Sequence, residues 1–366
     1  MNLNMKVIQL FVPGPMGGAE KVLLSGVKAL KDLGFETEIW VIQEYRVPYC
    51  ADDFLTEANE LGLKTKVFIC YSKFDRKLKK GLTKKLIEAN PAIVHAHGFK
   101  AALYGHLCSP KAAKFLITHH GITSHTLKVK IYEAIEKWTM KKAHKVIAVS
   151  EMMRIDLERR GVPAHKIQVV ENLLSMKVTP RETPQNKELE LVYVGRLSFE
   201  KGVHILIKAL KKLPVLIPFN LVIVGDGKER ENLEEYTAEL GIQDRVQFVG
   251  FQKDVKKFLK KADALVIPSL REGLPMTLIE ACCMGLPVVG SRVGGIPLLV
   301  EDEHNGLLFK VEDADELSLK LRVLDDEKRL YLERALKESE KFLKRFSPNN
   351  WAENTLAVYN SSLSHK

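Results

Sequence analysis

Short apolar runs alternate with helix-period segments along the whole chain, and the alternation begins twice. Strands of that kind are buried on both faces, so the pattern calls for parallel sheets covered by helices. The first series places strands at residues 6–12, 37–42, 66–70, 92–97, 114–119 and 145–150, with helices such as 20–33 between them. The second places strands at 189–194, 220–224, 246–249, 264–268 and 287–290, with helices near 203–213 and 229–240. Each series reads as a doubly wound, Rossmann-like domain.

Residues 178–190 separate the two series; they are polar and contain Pro180 and Pro184, the composition of an exposed boundary. With 366 residues there is material for two cores, and the expected domains are 1–177 and 178–346. The charged helical stretch from Ala314 to Lys344 is followed by Phe346, Trp351, Leu356 and Tyr359, anchors that require a burial partner. Five scattered or adjacent cysteines (Cys50, Cys70, Cys108, Cys282, Cys283) show no zinc spacing, which fits a reduced, cytoplasmic setting. The apolar run Met5 to Val12 is too short to span a bilayer and is expected to be the first buried strand.

The formal charge is +10, and the excess resides in residues 1–177, where 28 Lys/Arg face 17 Asp/Glu, while the remainder has 28 against 29. Such an excess suits an anionic partner, although a well-solvated surface would read the same way. No motif with interleaved stacking aromatics accompanies it, so nucleic acid is not the expected partner.

The richest stretch is Ser269-Leu270-Arg271-Glu272-Gly273-Leu274-Pro275-Met276-Thr277-Leu278-Ile279-Glu280, between a strand and a helix. Pro275 suits the first helical turn, leaving the amides of Gly273, Leu274 and Met276 for an anion. Glu272 and Glu280, with up to ~12 Å of helical rise between them, can contact two parts of one extended polar ligand. A nucleotide-sugar is such a ligand: Glu272 is expected at the transferred sugar and Glu280 at the ribose, since carboxylates accept paired bonds from vicinal hydroxyls. The plain alternative is a pair of surface glutamates. Upstream, Gly195-Arg196-Leu197-Ser198-Phe199-Glu200-Lys201-Gly202 again joins strand to helix. Arg196 and Lys201 can stabilise the charge that grows on a departing β-phosphate. Gly225, in Val224-Gly225-Asp226-Gly227, ends another strand where a ligand can approach the backbone. Asp313-Ala314-Asp315 reads as acid at a helix start; neither a metal nor a cofactor is expected.

Gly17-Gly18-Ala19-Glu20, Gly195-Arg196 to Lys201-Gly202, Val224-Gly225-Asp226-Gly227, the Glu272/Glu280 pair, Gly294-Gly295-Ile296-Pro297 and Asn305-Gly306-Leu307-Leu308-Phe309 together resemble the retaining glycosyltransferases of family four. The resemblance covers nearly the whole chain and is most specific in its second half. It implies the GT-B fold: two facing Rossmann-like domains, with a terminal helix, about residues 347–366, crossing back to the first. It also implies metal-independent transfer with retention, the diphosphate held by Arg196 and Lys201, Glu272 beside the donor sugar, Glu280 on the ribose, and the Val249-Gly250-Phe251 turn bordering the base. Gly17 and Gly18 would let the donor approach backbone amides. Where many members carry an acidic residue after Gly294-Gly295-Ile296-Pro297, this chain has Leu298.

Two strands of the first series end in histidine and glycine, at Ile93-Val94-His95-Ala96-His97-Gly98 and Leu116-Ile117-Thr118-His119-His120-Gly121. The second resembles the family's Thr-x-His-Gly, which puts His120 near the reacting sugar in a positioning role, with His97 and His119 as supporting residues. Arg76, Lys77, Lys79, Lys80, Lys84 and Lys85, with Lys73, interleave with Phe74, Leu78 and Leu82 as in a basic amphipathic helix lying on an anionic membrane. The expected activity is therefore transfer of a hexose-type sugar, from a UDP-sugar in preference to a GDP-sugar, to a glycan or lipid-linked acceptor in polysaccharide or lipopolysaccharide assembly. The protein is expected to work peripherally at the inner face of the cytoplasmic membrane. A nucleotide-sugar epimerase of similar architecture and a noncatalytic nucleotide-sugar sensor are the alternatives; donor incubated without acceptor separates the first, and binding without turnover the second.

Overall fold

A computed structural model describes residues 5–14, 16–46, 49–72, 74–119, 127–174 and 188–364. The chain forms two compact units, Met1–Ser175 with Phe346–Lys366, and Met176–Arg345. In the first, β1 (Val7–Phe11), β2 (Thr37–Glu44), β3 (Lys64–Cys70), β4 (Ile93–His97), β5 (Lys114–His119), β6 (Lys145–Ala148) and β7 (Ile167–Val169) form one sheet in the order β3-β2-β1-β4-β5-β6-β7. Every pairing in it is parallel. The helices of this unit are α1 (Gly18–Asp32), α2 (Tyr49–Glu60), α3 (Arg76–Ala89), α4 (Phe99–Cys108), α5 (Leu127–Lys142) and α6 (Glu151–Arg159).

Central strand β1 is buried along its whole length, as a strand covered on both faces must be. Edge strand β3 is exposed over most of its length and carries Lys64 and Lys66, charges that discourage pairing with another chain. Helix α3 starts at Asp75, whose carboxylate accepts the amides of Lys77 and Leu78, and stops at Asn90 in the left-handed region. Its apolar stripe, Leu78, Leu82 and Leu86, packs into the core of this unit.

The second unit repeats the plan with β8 (Leu189–Val194), β9 (Phe219–Val224), β10 (Val246–Gly250), β11 (Ala264–Ile267), β12 (Val288–Ser291) and β13 (Gly306–Phe309), ordered β10-β9-β8-β11-β12-β13 and again parallel. Its helices are α7 (Val203–Lys211), α8 (Arg230–Glu239), α9 (Lys256–Lys261), α10 (Met276–Met284) and α11 (Ala314–Arg345), the last kinked at Glu327. The short edge strands β7 and β13 are additions to the strands expected from sequence. Of the expected boundary segment, 178–187 lies outside the described residues, while Leu189 and Glu190 belong to β8.

Helix α12 (Pro348–Ser364) belongs to the first unit and packs on α1. Gly26 makes room for it: a Cβ there would lie 2.5 Å from the Trp351 ring. Phe346, Leu356 and Tyr359 are buried, so the anchors find their cover here. Tyr359 also closes a polar chain through the core: His97 Nε2 to Gln9 Oε1 (2.9 Å), Gln9 Nε2 to Tyr359 Oη (3.0 Å), Tyr359 Oη to His95 Nδ1 (2.8 Å) and His95 Nε2 to Thr118 Oγ1 (2.7 Å). Both His95 nitrogens are thus engaged in hydrogen bonds, as buried polar groups require. The architecture is α/β of the GT-B type, two parallel-sheet Rossmann-like domains.

Candidate functional site

In the second unit β8 and β11 are neighbours, so the loops that follow them leave the same carboxyl edge side by side, where open α/β sheets bind ligands. Arg196 and Lys201 lie on the first loop, Glu272 and Gly273 on the second. Backbone bonds hold the loops in place. Gly195 donates to the Val224 carbonyl (3.0 Å), Leu197 to Asp226 (2.9 Å), Gly225 to Gly250 (2.8 Å), and Leu270 to Glu200 (2.9 Å).

Across the two loops, Lys201 Nζ donates to Glu272 Oε1 at 2.6 Å, and Ser269 Oγ donates to the same oxygen at 2.8 Å. Oε2 takes part in neither bond and remains for a further donor. The Glu272 side chain is 9% exposed and that of Lys201 26%, so the pair sits at the boundary of the interior, where attraction is screened less than on an open surface. Ser269 is itself fixed, since the buried Ser291 hydroxyl donates to its carbonyl at 2.6 Å. Arg196 stands exposed on its loop, and the buried Tyr193 hydroxyl donates to its carbonyl at 2.9 Å. Burial, with the Glu272 and Glu200 carboxylates, pushes the Tyr193 phenol far above its ordinary range and keeps it a neutral donor. The Glu200 carboxyl is held below its usual range: burial works against ionisation, but its own backbone amide and the charges of Arg196 and Lys201 prevail. Arg196, Lys201, Glu200 and Glu272 therefore belong to one electrostatic group.

The glycines do something the sequence reading did not anticipate. A Cβ on Gly225, at φ +140, would lie 1.8 Å from the Gly195 carbonyl oxygen, and one on Gly294, at φ +57, would lie 2.1 Å from the Glu272 carbonyl oxygen. These residues let loop approach loop, a role beside the ligand approach expected at Gly225. Gly273 differs, with no atom within 4 Å of its Cβ position. Gly295 donates to its carbonyl at 2.6 Å, so this open residue is nonetheless fixed.

Pro275 is the N-cap of α10, and the helix begins at Met276. The helical amides left for an anion are consequently those of Met276, Thr277 and Leu278, while Gly273 and Leu274 precede the helix. Glu272 is off the helix for the same reason, and only about 6 Å of helical rise separates Met276 from Glu280. Glu280 is buried in the second turn, and Leu274 is buried next to Gly295. Gly250 ends β10 at φ +68, followed by the exposed Phe251, and the guanidinium of Arg230 stands beside it, bonded to Asp226 and Glu234. Asp313 accepts the amides of Asp315 and Glu316, so it serves as the cap of α11.

The first unit contributes less of what was expected. Gly17 caps α1, and its amide is bonded to Glu20, which also accepts from Gly14; Gly18 opens the helix. The Gly17 amide is therefore committed to the loop itself. His119 is buried and bonded to Glu136 at 3.0 Å. His120 and Lys73 lie outside the described residues. Arg76, Lys77, Lys79, Lys80, Lys84 and Lys85 line the outer side of α3, with Lys84 and Lys85 paired to Glu88. Burial of Leu78 and Leu82 overturns the amphipathic membrane helix: that stripe is already covered by the core, leaving Phe74 and Ile87 as exposed apolar groups beside the cations. Sequence reasoning missed Tyr193, Ser269 and Ser291, whose hydroxyls support the site; only their position in or beside the motifs signalled them.

Comparison with known proteins places both halves of the chain among glycosyltransferases. Residues 16–175 match the family profile Glycosyltransferase Family 4, and residues 177–341 match Glycosyl transferases group 1. An uncharacterized glycosyltransferase of Methanocaldococcus jannaschii is 35% identical over 179 residues, 48% of this chain and 45% of that protein. The UDP-Gal:alpha-D-GlcNAc-diphosphoundecaprenol alpha-1,3-galactosyltransferase of Escherichia coli is 29% identical over 276 residues, 69% of this chain and 71% of that protein. The match thus spans less than half of the archaeal relative and over two thirds of the bacterial one. Among solved structures, Anabaena HepE with UDP and glucose superposes with a TM-score of 0.82 at 22% identity, covering 98% of this chain and 100% of that one. The lipopolysaccharide outer core galactosyltransferase WaaB, in its apo form, gives 0.77 at 24% identity, covering 98% and 99%.

Proposed function

This chain belongs to family 4 of the glycosyltransferases, and on that premise we propose that it transfers a hexose-type sugar from a UDP-sugar to a glycan or lipid-linked acceptor in polysaccharide or lipopolysaccharide assembly. The observation that carries this reading is the 2.6 Å contact between Lys201 and Glu272, which joins a cation for phosphate to a carboxylate for sugar hydroxyls at one sheet edge. The UDP complexes of the Anabaena neighbour and the named donor of the Escherichia coli relative support uridine as the base.

In the proposed reaction the bond between the anomeric carbon and the β-phosphate oxygen breaks, and its electron pair leaves with the nucleoside diphosphate. Arg196 and Lys201 stabilise that growing charge, with the first amides of α10 as further donors. These fixed cations can supply the stabilisation without a metal. An acceptor hydroxyl then bonds to the anomeric carbon. Retention requires it to enter from the face the diphosphate leaves, so the departing phosphate oxygen is the nearest base for its proton. Glu272 holds the sugar hydroxyls through Oε2, Glu280 the ribose, the Gly250–Phe251 turn borders the base, and His120 positions the sugar. The cations of α3 support work close to an anionic membrane surface, and among the described residues no helix is long and apolar enough to cross a membrane.

A panel of UDP-, GDP- and CMP-sugars read by thermal shift tests the donor, because a ligand at 100 times its dissociation constant stabilises the fold by about 2.7 kcal/mol. UDP-sugars are expected to give the largest shift, and proton NMR of the product is expected to show the donor's anomeric configuration. A larger shift with GDP-sugars, or an inverted product, overturns the corresponding part of the proposal.

A further inference from the structure

Glu272 carries two protein donors on one oxygen, and the two differ in their freedom to leave it. Lys201 Nζ and Ser269 Oγ both donate to Oε1, at 2.6 and 2.8 Å. A carboxylate oxygen offers about two lone-pair sites, so these donors fill Oε1 between them. Lys201 ends a flexible four-carbon stem and its side chain is 26% exposed, so it can swing to an anion nearby. Ser269 has no such reach: it is completely buried, and its hydroxyl stands one carbon away from a main chain that is itself held.

The main chain around Ser269 does not depend on that hydroxyl. Ser291 Oγ donates to the Ser269 carbonyl (2.6 Å), the Leu270 amide to the Glu200 carbonyl (2.9 Å), and the Gly295 amide to the Gly273 carbonyl (2.6 Å). The loop 269–273 is thus clamped at both ends through backbone groups, all of which alanine at position 269 would keep. Of the three hydroxyls that support this sheet edge, those of Tyr193 and Ser291 bond main-chain carbonyls. That of Ser269 bonds the Glu272 side chain, its partner among the described residues. The fold uses the backbone of Ser269, and the carboxylate uses its oxygen.

We infer that Ser269 is a positioning residue, which keeps Glu272 in place while Lys201 passes from the carboxylate to the diphosphate of the donor. The inference deepens the transferase reading and rests on it, since it takes from there the diphosphate near Lys201 and the sugar at Glu272. A phosphate oxygen competes with Oε1 for the Lys201 ammonium. Once it wins, Glu272 keeps Ser269 on Oε1 and offers the freed lone pair, with Oε2, to sugar hydroxyls. Without the serine hydroxyl the same exchange leaves the carboxylate free to rotate, and the contact that holds the sugar loses its fixed geometry. Nucleotide and sugar are coupled in this way: the first draws off the cation that occupies the group needed by the second.

The test is calorimetric titration of the full chain, Ser269→Ala, Ser269→Cys and Glu272→Ala with UDP, UDP-glucose and UDP-galactose, beside a thermal melt of each protein. The quantity read is the dissociation constant of the tighter UDP-sugar divided by that of UDP, a ratio that isolates the sugar. In Ser269→Ala it should rise about tenfold, the effect of losing a hydrogen bond to a charged group, while UDP affinity stays within about threefold and the melt within a few degrees of wild type. Ser269→Cys, which keeps a weak donor, should give a smaller rise. A serine with a merely structural role would lower the melting temperature and weaken UDP and UDP-sugar alike, and that result overturns the inference. An unchanged ratio in Ser269→Ala, when Glu272→Ala raises it, also overturns the inference, because Lys201 then holds the carboxylate by itself in the complex; the transferase reading survives. An unchanged ratio in Glu272→Ala as well removes the sugar from Glu272 and sinks that reading together with the inference.

Discussion

The two sheets share a topology and differ in how their carboxyl edges are finished. In the first unit the strands carry a buried hydrogen-bonded chain, Gln9, His95, His97 and Thr118, closed by Tyr359 from a helix 350 residues from Gln9 in sequence. In the second they carry charge, Lys201 on Glu272 with Arg196 exposed nearby, and loops drawn together at Gly225 and Gly294. A buried hydrogen-bonded network holds an element in place. A charged pair at the boundary of the interior, by contrast, can exchange a protein partner for a ligand. The same fold therefore yields a structural edge in one unit and a chemical edge in the other, according to which side chains end the strands.

That contrast can be broken first at Glu272. Its replacement by alanine removes the sugar contact and leaves Lys201 without its carboxylate, and is expected to cut turnover by at least ~100-fold in a steady-state assay with a UDP-sugar. Gly294→Ala should come next. The added carbon meets the Glu272 carbonyl, so donor KM should rise by about tenfold or more while the fold persists, as measured by initial rates beside circular dichroism. In the first unit Tyr359→Phe should leave UDP binding intact and lower stability by about 1–3 kcal/mol in urea titration, because it strands buried groups on Gln9 and His95.

The smallest effect concerns the cap of α3. Three backbone amides hold the Asp75 carboxyl below its ordinary value of 3.8, with burial opposing them. A depressed folded-state pKa means the stabilisation is complete above that ordinary value and disappears as pH falls through the lower, folded one. Asp75→Ala should cost about 1 kcal/mol at neutral pH, and the difference from wild type should shrink in acid, followed by urea unfolding between neutral pH and pH 3.

Much of the fold was legible because parallel strands covered on both faces leave unbroken apolar runs, as at Val7–Phe11 and Leu189–Val194. Three- and four-residue edge strands such as β7 and β13 leave too little pattern to read. The loops proposed for the donor were legible through glycine and charge between strand and helix. The hydroxyls that support them were not, since Ser291 meets the Ser269 carbonyl only because their strands, β12 and β11, are neighbours. The apolar stripe of α3 was misread for a related reason: periodicity gives an apolar face but not what covers it, and here the core of the first unit does. Tyr359 was recognisable as an anchor, while its hydroxyl partners on β1 and β4 depended on tertiary structure alone.

The most direct measurement is turnover of a UDP-sugar by Arg196→Ala and Lys201→Ala, each beside its own thermal melt. The account predicts that both variants melt within a few degrees of wild type and lose at least ~100-fold in kcat, since each lacks a cation for the departing phosphate. Near-normal turnover in both variants would contradict it and require another anion site to activate the donor.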